Sequence, residues 1–207
     1  MHADVPPPLD RLATAQHVVA LTVDAGGNAD AAARALAELR RAGVPITFFL
    51  SGRWVTLHPV LAREIGRNPE WNVGDHTVDH ASMPTLSAAR ARWEVLEARR
   101  EIERATGRDP KPLFRFPYGA ETPSLVALVE RLGFRDVRWT IDSLGWRGPR
   151  FESVAGLVRR VVGELGPGAI VLMHIGSSGG GTLDTDSFPA VIRAVEARGY
   201  RFVALPR

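Results

Sequence analysis

The chain of 207 residues contains no cysteine, which excludes disulfides and any metal site or nucleophile built on a thiolate. It has no apolar run approaching the roughly 18 residues that a membrane-crossing helix needs. Lysine is scarce, because nearly all of the 26 basic residues are arginines. No G-x-S-x-G nucleophile elbow is present and no P-loop lysine motif. The first residues, Met1-His2-Ala3-Asp4-Val5-Pro6-Pro7-Pro8, lack the basic and apolar regions of a signal peptide. They read as a proline-rich lead-in over residues 1–15, which a trimmed form of an exported precursor would also carry.

What is present is an ordinary globular composition, with 45% hydrophobic and 24% charged residues. The length suits one domain with a sizeable core, here residues 16–207. Net charge is +3, and the arginines lift the isoelectric point to about 10.1. Arg90, Arg92, Arg99, Arg100 and Arg104 alternate with glutamates in a helical pattern, which reads as a solvated, salt-bridged face. No basic stripe with interleaved aromatics accompanies them, so nucleic acid is not expected as a partner.

Apolar runs alternate with amphipathic ones. Strands are expected at 17–24, 46–50, 71–74, 113–117, 134–141, 169–174 and 200–205. Helices are expected at 29–42, 60–65, 87–106, 124–132, 153–165 and 187–198, closed by glycines such as Gly43 and Gly107. Residues 176–181 form a glycine-rich stretch without dinucleotide spacing, read as a rim loop. Such alternation argues for a parallel sheet covered by helices, either an open doubly wound sheet or a barrel, with ligands at the carboxyl ends of the strands.

Asp24, His76, Arg115, Asp142 and His174 all fall at or near expected strand ends, and that clustering marks a candidate active site. If the segment after residue 74 turns helical, His76 and His80 lie one turn apart and can share a cation such as zinc. Asp24 could be ligand, general base or both. Asn28 and Asp30 are the better caps for the helix that follows. His174 ends an apolar strand, either hydrogen-bonded in the core or acting as a general acid. Arg115 in an apolar strand requires a carboxylate, Asp24 or Asp142. A cation, a carboxylate base and a histidine acid suit hydrolysis of a carbonyl derivative.

Five segments then carry a resemblance. Thr22-Val23-Asp24-Ala25 stands against T-F-D-D, His76-Thr77-Val78-Asp79-His80 against H-[ST]-x-x-H, and Arg115-Phe116-Pro117-Tyr118 against R-x-P-Y. Asp142-Ser143-Leu144-Gly145-Trp146 aligns with D-x-x-D-W, and Leu172-Met173-His174 with L-x-H. From about Val18 to Leu205 the chain resembles the polysaccharide deacetylases of carbohydrate esterase family 4, which share the NodB homology domain.

The resemblance implies an α/β fold, a distorted (β/α)7 TIM-like barrel. It implies metal-dependent removal of acetyl from N-acetylated sugars of a polysaccharide such as peptidoglycan or chitin-like oligomers, by an extracytoplasmic, monomeric protein. His76, His80 and Asp24 would hold a divalent transition metal, zinc or else cobalt or manganese. Asp24 would be the base, held by Arg115, while the Tyr118 backbone N–H stabilises the oxyanion and His174 protonates the amine. Trp146 and Leu172, with Asp142 nearby, would line the acetyl pocket. Two positions depart from the pattern. Ala25 replaces the third metal ligand, so Asp24, Asp30 or waters would complete the shell. Gly145 replaces the aspartate that orients the acid histidine, a role that falls to Asp142. These departures keep open a degenerate glycan-binding barrel, and a hydrolase of O-acetyl esters or small amides.

Overall fold

The computed structural model describes residues 7–176 and 182–207; most of the expected rim loop and the start of the lead-in lie outside the described residues. The first half runs β1 (Val18–Ala25), α1 (Ala32–Ala42), β2 (Ile46–Leu50), α2 (Gly52–Leu57), α3 (Pro59–Arg67), β3 (Trp71–Asp75) and α4 (Ala88–Thr106). The second runs β4 (Leu113–Phe114), α5 (Pro123–Arg131), β5 (Arg135–Asp136), β6 (Ile141–Asp142), α6 (Val154–Gly163), β7 (Ala169–His174), α7 (Leu183–Glu196) and β8 (Arg201–Phe202).

Every residue of β1 is buried, as its β-branched and apolar composition requires for a strand covered on both faces. It pairs in parallel with β2, β7 and β8, at the centre of the order β5-β4-β3-β2-β1-β7-β6. Alternation along β1 sorts its side chains. Val19, Leu21, Val23 and Ala25 join the large apolar cluster with Leu36, Leu39 and Phe188 of the helices. Ala20 joins a smaller cluster with Phe49, Leu113 and Ile170 on the inner face. Thr22 and Asp24 continue that inner row, and Leu172 and His174 do the same on β7.

The expected single strand at 134–141 is two strands on opposite edges of the sheet, β5 and β6. Only residues 137–140 separate the edges, so the sheet must curl round on itself. The lead-in fills the seam: Leu9 bridges Val137, Arg11 bridges Ala169, and the Leu9 and Arg138 amides donate to Asp136 O and Leu9 O at 2.8 Å. The result is the expected distorted parallel barrel wrapped in helices.

Other boundaries shift for local reasons. α2 was not expected; Ser51 caps it, its hydroxyl accepting from Trp54 N at 3.2 Å. β4 is shorter than 113–117, because Pro117 cannot donate to a ladder and opens a 3-10 turn, Pro117–Gly119. α1 is capped by neither Asn28 nor Asp30: its N-cap is Ala31, at φ 59° and without a side-chain bond. α7 begins at Leu183, four residues before the expected 187, with the Thr182 hydroxyl accepting from Asp184 N.

Candidate active site

Arg115 leaves β4 pointing into the barrel, 1% exposed. Its Nη1 donates to Asp24 Oδ1 at 2.7 Å and Thr22 Oγ1 at 3.0 Å. Nε and Nη2 donate to the carbonyls of Val137 and Arg138, and the guanidinium stacks 4.1 Å from the Phe49 ring. Of the two carboxylates expected for it, the partner is Asp24. Burial alone would raise the Asp24 pKa, but the charge of Arg115, with its hydrogen bond, reverses this and holds it below the ordinary carboxylate value.

His76 Nδ1 lies 2.8 Å from Arg115 O, and a carbonyl only accepts, so Nδ1 carries the proton. Burial keeps the ring neutral, lowering its pKa. The bare Nε2 then faces Asp24 Oδ2 at 3.4 Å. Two lone-pair atoms pointing at one another across that gap are poorly matched unless a cation or proton lies between them.

His80 stands edge-on to His76, ring centroids 4.7 Å apart, and edge-on to Tyr118 at 4.6 Å. The pair is not brought together by a helical turn. Residues 76–80 form a bent loop in which Thr77 and His80 adopt left-handed φ of 66° and 56°. Glu94 of α4, fully buried, holds that loop by accepting from Val78 N and Asp79 N at 2.9 and 3.0 Å. Gly26 makes room for the ring, since a Cβ there would sit 2.1 Å from His80 Cδ2. Burial above all pushes the His80 pKa down to about 3.

His174 ends β7 beside Asp24 of β1. Its Nδ1 lies 3.2 Å from Asp184 Oδ2, and its backbone N donates to the same oxygen at 3.0 Å. Burial opposes its charge, but the Asp184 bond and the charges of Asp184, Asp24 and Asp142 prevail and raise its pKa. Asp142 does not make the orienting contact expected of it; its Oδ1 accepts from Leu144 N at 2.8 Å. Tyr118, at φ 61°, and Trp146 are exposed at this end of the barrel, while Leu172 is buried two residues before His174.

The donor chemistry suits a borderline divalent cation: two neutral imidazoles side by side, one oriented by a main-chain carbonyl, and a carboxylate oxygen facing that one. Among the described residues a further dedicated ligand is not supplied. Ala25 is buried in the apolar cluster facing the helices, Asp30 is exposed, and among the described residues no group of three such side chains is arranged to hold a metal.

Asp184 and Glu94 escaped the sequence reading. Asp184 lay hidden behind the glycine-rich stretch, in a helical turn assigned to loop; a Thr-Leu-Asp start, with threonine able to cap, was the available signal. Glu94 looked like any glutamate of an arginine-rich helix.

The polysaccharide deacetylase family model matches residues 11–137, more than half of the chain. A chitooligosaccharide deacetylase of Bradyrhizobium is 32% identical, over 91% of this chain and 84% of that protein. One from Azorhizobium caulinodans is 27% identical over 95% and 96%, and a peptidoglycan-N-acetylglucosamine deacetylase of Bacillus cereus 28% over 91% and 66%. Among solved structures, a carbohydrate esterase family 4 pseudoenzyme from Bacillus anthracis superposes with TM-score 0.85 at 30% identity, over 97% of this chain and 68% of that one. A mutant of that pseudoenzyme with restored enzymatic activity matches equally well. The family model covers more than half of the chain and the fold agrees with it, so the chain belongs to the polysaccharide deacetylase family, a family of hydrolases.

Proposed function

We propose that the chain removes N-acetyl groups from N-acetylated sugars of a polysaccharide such as peptidoglycan or chitin-like oligomers, outside the cytoplasm and as a monomer. The observation that carries this reading is the pair of opposed groups on neighbouring strands β1 and β7. Asp24 is held ionised by Arg115 and can accept a proton from water, while His174 is held more basic than a free imidazole and can donate one. Such a base and acid, on either side of a scissile amide, are what hydrolysis with amine departure requires. A divalent cation held by His76, His80 and Asp24, zinc or else cobalt or manganese, would polarise the carbonyl and acidify water. The Tyr118 N–H would meet the developing oxyanion. Trp146 and Leu172, with Asp142 behind, would wall the acetyl methyl and exclude larger acyl groups.

The test is acetate release from N-acetylglucosamine oligomers and peptidoglycan fragments, with and without added zinc, cobalt or manganese. Release with one of them is expected; none from folded protein sinks the proposal. O-acetylated sugars and small amides as parallel substrates show whether the sugar amide is preferred. Ala25 favours a second reading, a glycan-binding barrel without turnover, which requires oligosaccharide binding and no acetate release.

A further inference from the structure

The loss of the motif aspartate at Gly145 and the burial of Asp184 are one structural fact. Asp184 lies in the first turn of α7, fully buried, in a different element from the 142–146 loop. Among the described residues its Oδ2 gathers three donors: His174 N, His174 Nδ1 and Thr182 Oγ1 at 3.3 Å. The helix N-terminus adds a partial positive charge, so a buried carboxylate is tolerated there. Its other oxygen, Oδ1, has no hydrogen-bond partner among the described residues. That oxygen occupies the volume that a side chain at 145 would fill. A Cβ built on Gly145 would lie 2.1 Å from Asp184 Oδ1 and 2.8 Å from Asp184 N. No side chain at 145 can coexist with Asp184 in this place.

We propose that Asp184 is the positioning residue for His174, a carboxylate supplied from α7 into the space vacated at Gly145, and that Gly145 is glycine because Asp184 is there. As acceptor from Nδ1–H, the carboxylate fixes the tautomer, leaving Nε2 as the atom that carries the proton to the departing amine. The double grip, on backbone N and ring, also fixes the ring orientation at the end of β7. On this reading Gly145 marks a relocation of the positioning group and not its loss. The catalytic consequence rests on the deacetylase function proposed above; the exchange of positions 145 and 184 does not.

The experiment uses the full chain in three variants. Asp184→Asn keeps an acceptor for His174 N but loses the charge. It is expected to lower kcat on N-acetylglucosamine oligomers on the order of 100-fold or more, with KM little changed and the alkaline limb of the kcat profile moved to lower pH. Asp184→Ala is expected to switch neutral His174 from the Nδ1–H to the Nε2–H tautomer, read from ring nitrogen shifts by NMR. The double variant Gly145→Asp/Asp184→Ala returns a carboxylate to the same space from the other side, the main-chain N of residue 184, 2.8 Å from the new Cβ, giving way by a few tenths of an ångström. It should recover at least tenfold in kcat over Asp184→Ala, and the Nδ1–H tautomer with it. Gly145→Asp alone should melt several degrees lower than the double variant. An Asp184→Asn protein within threefold of wild-type kcat, an Asp184→Ala ring that stays Nδ1–H, or a folded double variant that fails to recover overturns the proposal. If the wild type releases no acetate from any substrate, the functional reading fails, and the tautomers of the wild type, Asp184→Ala and the double variant decide the positioning on their own.

Discussion

A guanidinium inside a barrel is tolerable only if its N–H groups find acceptors, and Arg115 finds Asp24, Thr22 and two main-chain carbonyls. The pairing runs both ways. Without Arg115, the Asp24 carboxylate keeps its full desolvation cost and loses the charge that stabilises it most. Arg115→Met should therefore cost about 3–5 kcal/mol of unfolding free energy, the range for breaking a buried pair by one partner. Arg115→Met with Asp24→Asn should be less destabilised than Arg115→Met alone, because no uncompensated charge remains. Urea unfolding of both, and of the wild type, measures this at pH 7. A single variant that loses under about 1 kcal/mol would show that the pair does not hold the barrel interior together.

At the scale of elements, the weak place in a barrel is where its sheet closes. Here β5 and β6 are each two residues long, and the seam between them is completed by Leu9 and Arg11 from outside the regular strands. Asp136 sits in that seam, its carbonyl accepting from Leu9 N and its side chain bonded to Arg138, which also binds Glu121. Burial, then the hydrogen bond and charge of Glu121, push the Asp136 pKa up to about 7 against the pull of Arg138. A carboxyl whose folded pKa is raised binds its proton more readily folded than unfolded. Its contribution to stability is therefore present below about pH 4 and is lost as pH rises through about 7, by at most about 1.4 kcal/mol per pH unit. Asp136→Asn should remove that slope, giving urea midpoints flatter than the wild type from pH 5 to pH 8. Equal slopes in the two proteins would mean that the seam does not titrate.

Across the whole molecule, strands with unbroken apolar runs were legible. β1, β2, β3 and β7 fall within a residue of their expected bounds, because a strand buried on both faces must be apolar throughout. The expected run at 134–141 failed for a reason no periodicity carries: the chain leaves one sheet edge and joins the other within it. The two histidines were legible as a pair, but left-handed turns at Thr77 and His80 join them, not a helix. Ala25 was legible as a missing ligand; that it faces the helix layer with Leu50, Trp54 and Val78 was not. That placement decides what Ala25→Asp should do. A carboxylate introduced there, without a cation, is buried among apolar side chains and should cost about 2–4 kcal/mol. If the strand end can turn it toward His76 and His80, a cation would supply the missing compensation. Zinc at 100 times its dissociation constant would then return about 2.7 kcal/mol. Melting temperatures of both proteins, with EDTA and with zinc, separate the cases. The variant should melt below the wild type in EDTA and gain more from zinc than the wild type gains. An equal gain in the two proteins would show that two imidazoles and Asp24 already hold the cation, and that position 25 does not limit this site.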